Sequence, residues 1–233
     1  MRCETLQRRF SCSFYRVLSQ VISSRVTSLP HNLTMPFGSP ASSTGVAETG
    51  IQTNRRSHDC LLSFVSTRFD VAPEEDVVEL SSDKLYSYPY VYLTGHGNVH
   101  FTDSEAARLR RYLIGGGFLH VDDNYGLDRH IRREMKKVFP EREFVELPFS
   151  HPIYHTHFEF PNGLPKIHEH DGKPAQGFGI VYEGRLLVFY SYESDLGDGW
   201  ESPSVHNDPA AKRRAALEMG ANILTFAMLR SAS

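Results

Sequence analysis

Cysteine, long apolar runs and the familiar catalytic signatures are what this sequence has little of. Its three cysteines, Cys3, Cys12 and Cys60, cannot build a disulfide framework or a cysteine zinc site. No run approaches the roughly 18 apolar residues of a membrane-spanning helix. No G-x-S-x-G elbow, no G-x-G-x-x-G turn opening a helix, no phosphate-binding Walker loop and no H-E-x-x-H occurs. Charge of one sign is missing too. A formal net charge of -3 and a pI near 6.5 give no global reason for a nucleic-acid or anionic-membrane partner. Cys60 falls in a helical pattern, which removes a cysteine nucleophile from the strand ends.

Residues 1–57 lack lysine altogether and carry only Glu4 and Glu48 as acids, against a set of arginines and many serines. Pro30, Pro36 and Pro40 prevent a long regular element there. The composition fits a transit peptide, a disordered tail or a wrongly assigned start, and no compact apolar stretch supports a secretory signal. The expected organisation is a disordered or mis-assigned segment at 1–57 and one α/β domain at 58–233.

Within that domain, strands alternate with helices. Leu61, Leu62, Phe64 and Val65 suit a short helix, and residues 76–80 and 89–95 suit strands. Thr102 and Glu105 predict a capping box for a helix that stops at Gly115, Gly116 and Gly117. A core strand at 118–121 follows, then a helix capped by Asp128 with Ile131, Met135 and Val138 inside, stopped by Pro140. A short strand at 144–147 precedes a Pro/Gly/His-rich excursion over 148–177, too long for a passive loop. A hairpin turning at Glu183-Gly184 comes next. The last helix opens at Asn207-Asp208-Pro209, with Leu217, Leu224 and Met228 on its apolar face. This alternation predicts a mostly parallel sheet covered on both faces, with any ligand beyond the strand carboxyl ends. That rule puts residues 94–98, 120–125 and 191–200 on one rim.

Histidine is the abundant ionisable residue, and most of the twelve lie between His96 and His170. Gly95, His96, Gly97 and Asn98 form either a ligand-approaching turn or an ordinary tight turn. His120 and Asp122 alternate onto one side of their strand, with Asp123, Asn124 and Tyr125 directly after. Adjacent carboxyls at a strand end need a helix N-terminus, a cation or a proton to neutralise them, unless one simply caps a helix. His155 and His157, and His168 and His170, have spacings compatible with a divalent metal or with pegs holding irregular backbone. Glu193, Asp195 and Asp198 could bind a cation or a polyhydroxylated ligand, with Trp200 as a stacking face.

The stretches YPYVYLTGHGN, LRRYLIGGGFLHVDDNYG, ELPFSHPIYH, GLPKIHEHDG, FYSYESDLGDGWE and VHNDP resemble the bacterial domain-of-unknown-function 4159 family across the whole legible domain. The resemblance implies a class I glutamine amidotransferase-like fold, a flavodoxin-like three-layer α/β/α sandwich. It also implies distant kinship with trehalose-utilisation-type proteins. In amidotransferases of that superfamily a G-x-C-x-G elbow follows the strand at 118–121. Here His120-Val121-Asp122-Asp123-Asn124 holds the place, so the thiol chemistry does not carry over. Relatives usually bear an earlier first strand and a G-D-W-Y-like segment, absent from residues 46–59. They are often exported, although no clear signal peptide stands here and localisation is left open.

Two functions follow as expectations. One is a hydrolase-like enzyme on a small molecule, with Asp122 or Asp123 as base or cation ligand and His96, His120 and His170 as acid, base or ligand. The other is a non-catalytic ligand- or carbohydrate-binding module of the bacterial envelope, using Tyr125, Tyr154, Tyr192 and Trp200 as faces. A third reading makes the histidine-rich loop a structural lid.

Overall fold

The structure is a computed structural model that describes residues 17–20, 61, 76–95, 97–123 and 125–231. Its centre is three parallel strands, β3 (Tyr90–Gly95), β4 (Phe118–Asp123) and β7 (Arg185–Tyr192). Each alternates in side-chain direction, so both sheet faces are apolar. Val91, Leu93, Leu119, Val121, Val188 and Tyr190 join one core, and Tyr90, Tyr92, Phe118 and Phe189 join the other.

Both flanks are antiparallel. On one side β1 (Val17–Gln20) lies between β3 and β2 (Asp76–Val78), and on the other β6 (Gln176–Tyr182) precedes β5 (Val145–Glu146). The seven-stranded order is β2-β1-β3-β4-β7-β6-β5. The expected mostly parallel sheet is therefore parallel only at its centre. One reason is local: Glu183 and Gly184 both take positive φ (49° and 76°), closing a tight hairpin that must reverse β6 against β7. Strand β1 comes from the stretch set apart in the sequence.

Helices cover both faces. Helix α1 (Asp103–Ile114) begins with the expected reciprocal cap: Glu105 N–H donates to Thr102 Oγ1 (3.3 Å), and Thr102 N–H to Glu105 Oε2 (2.8 Å). It ends at Gly115, and Gly117 then lies so close beneath the Tyr112 ring that a Cβ would sit 2.2 Å from it. Helix α2 (Asp128–Val138) buries Ile131, Met135 and Val138 as expected, but Asp128 does not cap it. Asp128 is its first residue, paired with Arg132 (2.6 Å) and accepting from Tyr190 Oη (3.2 Å).

The opposite face carries α5 (Ala210–Ser231), which buries Ala216, Met219, Ile223 and Leu224, with Leu217 and Met228 partly covered. Beside it packs the excursion, which is anchored. Ile153, Tyr154 and Ile167 are fully buried. Asn222 of α5 accepts from the backbone of His157 (2.9 Å) and Phe158 (2.8 Å) and donates to Phe158 O (2.8 Å). Two short helices, α3 (Leu196–Trp200) and α4 (Pro203–His206), link β7 to α5. Among the described residues no helix is long and apolar enough to cross a membrane. Of the expected first helix only Leu61 is described; Leu62, Phe64 and Val65 lie outside.

Helix α3 docks on α5 through Gly199, where a Cβ would come within 2.3 Å of Ala216 Cβ. Because that neighbour is fixed to backbone, Gly199→Ala is expected to destabilise the protein by about 1–3 kcal/mol in urea unfolding. Parent-like stability would show that α3 does not sit so tightly.

Candidate functional site

Because β3, β4 and β7 run parallel, their carboxyl ends meet, with Thr94 opposite Asp122 and Asp122 opposite Ser191. The expected rim exists, and Gly97 N–H donating to Tyr125 O (3.3 Å) ties its first two turns together. After β7 the chain turns sharply. Glu193 and Asp195 both take left-handed φ (54° and 56°), an unfavourable geometry for non-glycine residues that leaves both side chains buried.

Beneath the rim runs a sealed chain of hydrogen bonds. Asp122 accepts from Tyr92 Oη (2.9 Å), Ser191 Oγ (2.5 Å), Leu196 N (3.3 Å) and Gly197 N (2.8 Å). Glycine is required at 197, since a Cβ would lie 2.6 Å from Tyr92 Oη. His120 lies 2.9 Å from Tyr90 Oη through Nδ1 and 2.9 Å from Ser191 Oγ through Nε2. With Asp122 ionised, the single Ser191 proton goes to it, His120 Nε2–H donates to Ser191, and Tyr90 donates to Nδ1. Burial raises the Asp122 carboxyl above its ordinary range, while Ser191, Gly197, Tyr92 and Leu196 pull it back. His120 and Asp122 do share a side, as alternation predicts. Both are fully buried, however, and saturated by protein partners, so they support the rim rather than line it.

Asp123 has the contrary environment. Among the described residues its Oδ2 accepts only a long bond from Glu193 N (3.3 Å), and its Oδ1 is buried with no partner. Burial, reinforced by Asp122, Asp128 and Glu193 against that one N–H, pushes its carboxyl up to about 7. Glu193 is instead held by Lys166 Nζ (2.9 Å).

Further along the rim, histidines meet carboxylates. His170 Nε2 lies 3.0 Å from Asp195 Oδ2, and its ring packs 5.7 Å from Tyr125. His168 faces Asp198 through Nδ1 (2.6 Å) and Asp208 through Nε2 (3.1 Å). His206 Nε2 lies 3.0 Å from Glu201 and 3.5 Å from Asp198. Burial, then Asp122 and Asp198, push Asp195 up to about 9. His168, Asp198 and His206 together could hold a metal ion. The expected pair His168 and His170 does not form that group.

Other expectations are redirected. Trp200 is buried against Tyr92 and His120 and donates Nε1–H to Ala216 O (2.8 Å), so it offers no face to a ligand. Tyr154 and Tyr192 are buried as well, leaving Tyr125, 57% exposed, as the accessible aromatic of the four. His155 joins Glu159 (2.6 Å) and Phe149 O (2.7 Å) in a separate groove with Pro152 and Phe226. Asn98 accepts from Arg133 of α2 (3.0 Å), fastening its turn to the helix. Gly95 ends β3 on the rim, and His96 and Asn124 lie outside the described residues. Sequence reasoning overlooked Ser191, Lys166, His206 and Asp208. The last two stand in VHNDP, whose paired ionisable residues were the available signal.

Residues 44–228 match the family described as a domain of unknown function, DUF4159. The chain belongs to that family. The match takes in residues 44–57 upstream of the boundary drawn at 58. No curated protein matches. What distinguishes this DUF4159 domain chemically is the unequal treatment of neighbouring carboxyls, one saturated and one left with an idle oxygen.

That inequality has a pH signature. Asp123 is raised in the folded protein, so between about pH 4 and 7 the unfolded chain releases a proton the native state still holds. Its contribution is present below the unfolded value and is lost as pH rises through 7. Asp123→Asn should therefore flatten the fall in stability over that window. It should gain on the order of 1 kcal/mol at pH 8 after allowance for residual solvent. Urea titrations at pH 5, 6.5 and 8 check this, and parallel pH curves for the two proteins would refute it.

Proposed function

We propose that the strand-end rim is the site of a hydrolase-like enzyme acting on a small polar molecule, with Asp123 as its acid–base group. The observation that carries this reading is the buried, unpartnered Asp123 Oδ1 at the end of the central strand. A buried carboxyl oxygen left without a donor costs stability, and such groups cluster at functional sites. A carboxyl raised toward neutrality can hold and return a proton at working pH. Asp122 acts as a positioning residue, and Gly97, Tyr125 and the Asp195–His170 pair flank the ligand. On this reading the fold is flavodoxin-like, of the class I glutamine amidotransferase kind, with carboxyl chemistry in place of the thiol.

A binding module is the second reading, favoured by Tyr125, whose exposed ring beside His170 could stack on a sugar. An envelope location would accompany it.

The full chain assayed against chromogenic esters, glycosides and phosphomonoesters separates the two. Turnover that falls roughly 10²-fold or more in Asp123→Asn, with the unfolding temperature maintained, is the expected result. Turnover indifferent to Asp123→Asn would overturn the acid–base role. Saturable sugar binding with no turnover would move the assignment to the module.

A further inference from the structure

We propose that His168, Asp198 and His206 form a binding site for one zinc-class divalent transition ion, with Glu201 beside it and Asp208 orienting His168. This goes beyond the acid–base reading of Asp123 and does not depend on it.

The three donors come from three separate elements: the excursion supplies His168, α3 supplies Asp198 and the end of α4 supplies His206. Their ligating atoms lie within 4.8 Å of one another. Tetrahedral zinc with ligands at about 2.1 Å requires donor atoms about 3.4 Å apart, so small side-chain rotations suffice. Two imidazoles with a carboxylate, and no thiolate, suit zinc, cobalt or manganese better than magnesium or calcium, which favour all-oxygen shells.

The placement of the His168 ring points the same way. Its two nitrogens face carboxylate oxygens on opposite sides, Asp198 at 2.6 Å and Asp208 at 3.1 Å. An ion on Nδ1 satisfies Asp198 while Nε2–H donates to Asp208, the carboxylate–histidine–metal arrangement that fixes ring orientation. The independent observation is Asp208. Its side chain is only 8% exposed, one oxygen holds His168, and the other is buried with no partner among the described residues. A buried carboxylate so placed, bonded through one oxygen only, adds negative charge next to the cluster, and a cation there would offset that cost. On the other side Glu201 Oε2, 3.0 Å from His206 Nε2, stands ready as a further oxygen ligand.

Full-length protein stripped with a chelator and titrated with Zn²⁺ by calorimetry, and with Co²⁺ by visible absorption, tests the site. One equivalent with d–d bands of a four- or five-coordinate nitrogen/oxygen site is expected. His168→Gln and His206→Gln should each weaken binding roughly 100-fold or more, and Asp208→Asn about 10–100-fold. His155→Gln should bind as the parent does, and thermal unfolding verifies that every variant folds. Binding indifferent to both His168→Gln and His206→Gln would overturn the proposal. So would a parent that binds neither ion below millimolar concentration, or one that takes Mg²⁺ or Ca²⁺ in preference. The readout needs no substrate, so absence of hydrolysis would leave it standing, and absence of metal would leave Asp123 unaffected.

Discussion

A buried carboxylate, Asp122, joins the end of β4, the hydroxyl of β7 and the first amides of α3 at one point. Removing one partner from such a group leaves the others desolvated and unmatched, typically at several kcal/mol. The β7 side of the rim inherits its position from this contact. Helix α3 carries Asp198 and Trp200, Trp200 reaches α5, and the turn before α3 sets Glu193 and Asp195. Tyr92, Tyr90 and His120 extend the anchor into the second core, where aromatic rings exclude water and so strengthen each hydrogen bond.

Around this anchor the protein concentrates negative charge in a poorly solvated place. Asp123 and Asp195 respond by moving up toward or beyond neutrality, because burial and, after it, the field of Asp122 disfavour their ionised forms. Glu193 is matched by Lys166, and the outer carboxylates by histidines. The anchor thus divides the acids into a structural one, matched ones and two with idle oxygens, Asp123 and Asp208. Function is proposed where the matching stops.

Much of the local structure was readable because its causes are local. The Thr102–Glu105 cap, the glycine stop at 115–117, the positive-φ turn at Glu183-Gly184 and the apolar face of α2 all depend on residues within a few positions of one another. Alternation along β4 correctly put His120 and Asp122 on one side. It could not say that this side faces α5 and Trp200 rather than a crevice. Asp128 shows the same limit: it had the chemistry of a cap, but Arg132 and Tyr190 were better partners in space. Of the antiparallel pairings only the β6–β7 hairpin was legible; those of β1 with β2 and β3 and of β5 with β6 were missed because strand direction depends on where a chain returns, which composition does not record.

The sequence by itself determined the alternating α/β elements, the rim at the ends of the central strands, the lack of cysteine in the stretches that form it and the family. Those follow from periodicity, turn chemistry and residue type, which act over short distances. Only the tertiary structure decided which ionisable groups are sealed, which are matched and which are left over. His168, Asp198, His206 and Asp208 are brought together across 40 positions of chain by the packing of α3 and the excursion against α5. A carboxyl's chemistry is set by its distance to water, donors and other charges, and no linear pattern carries those distances.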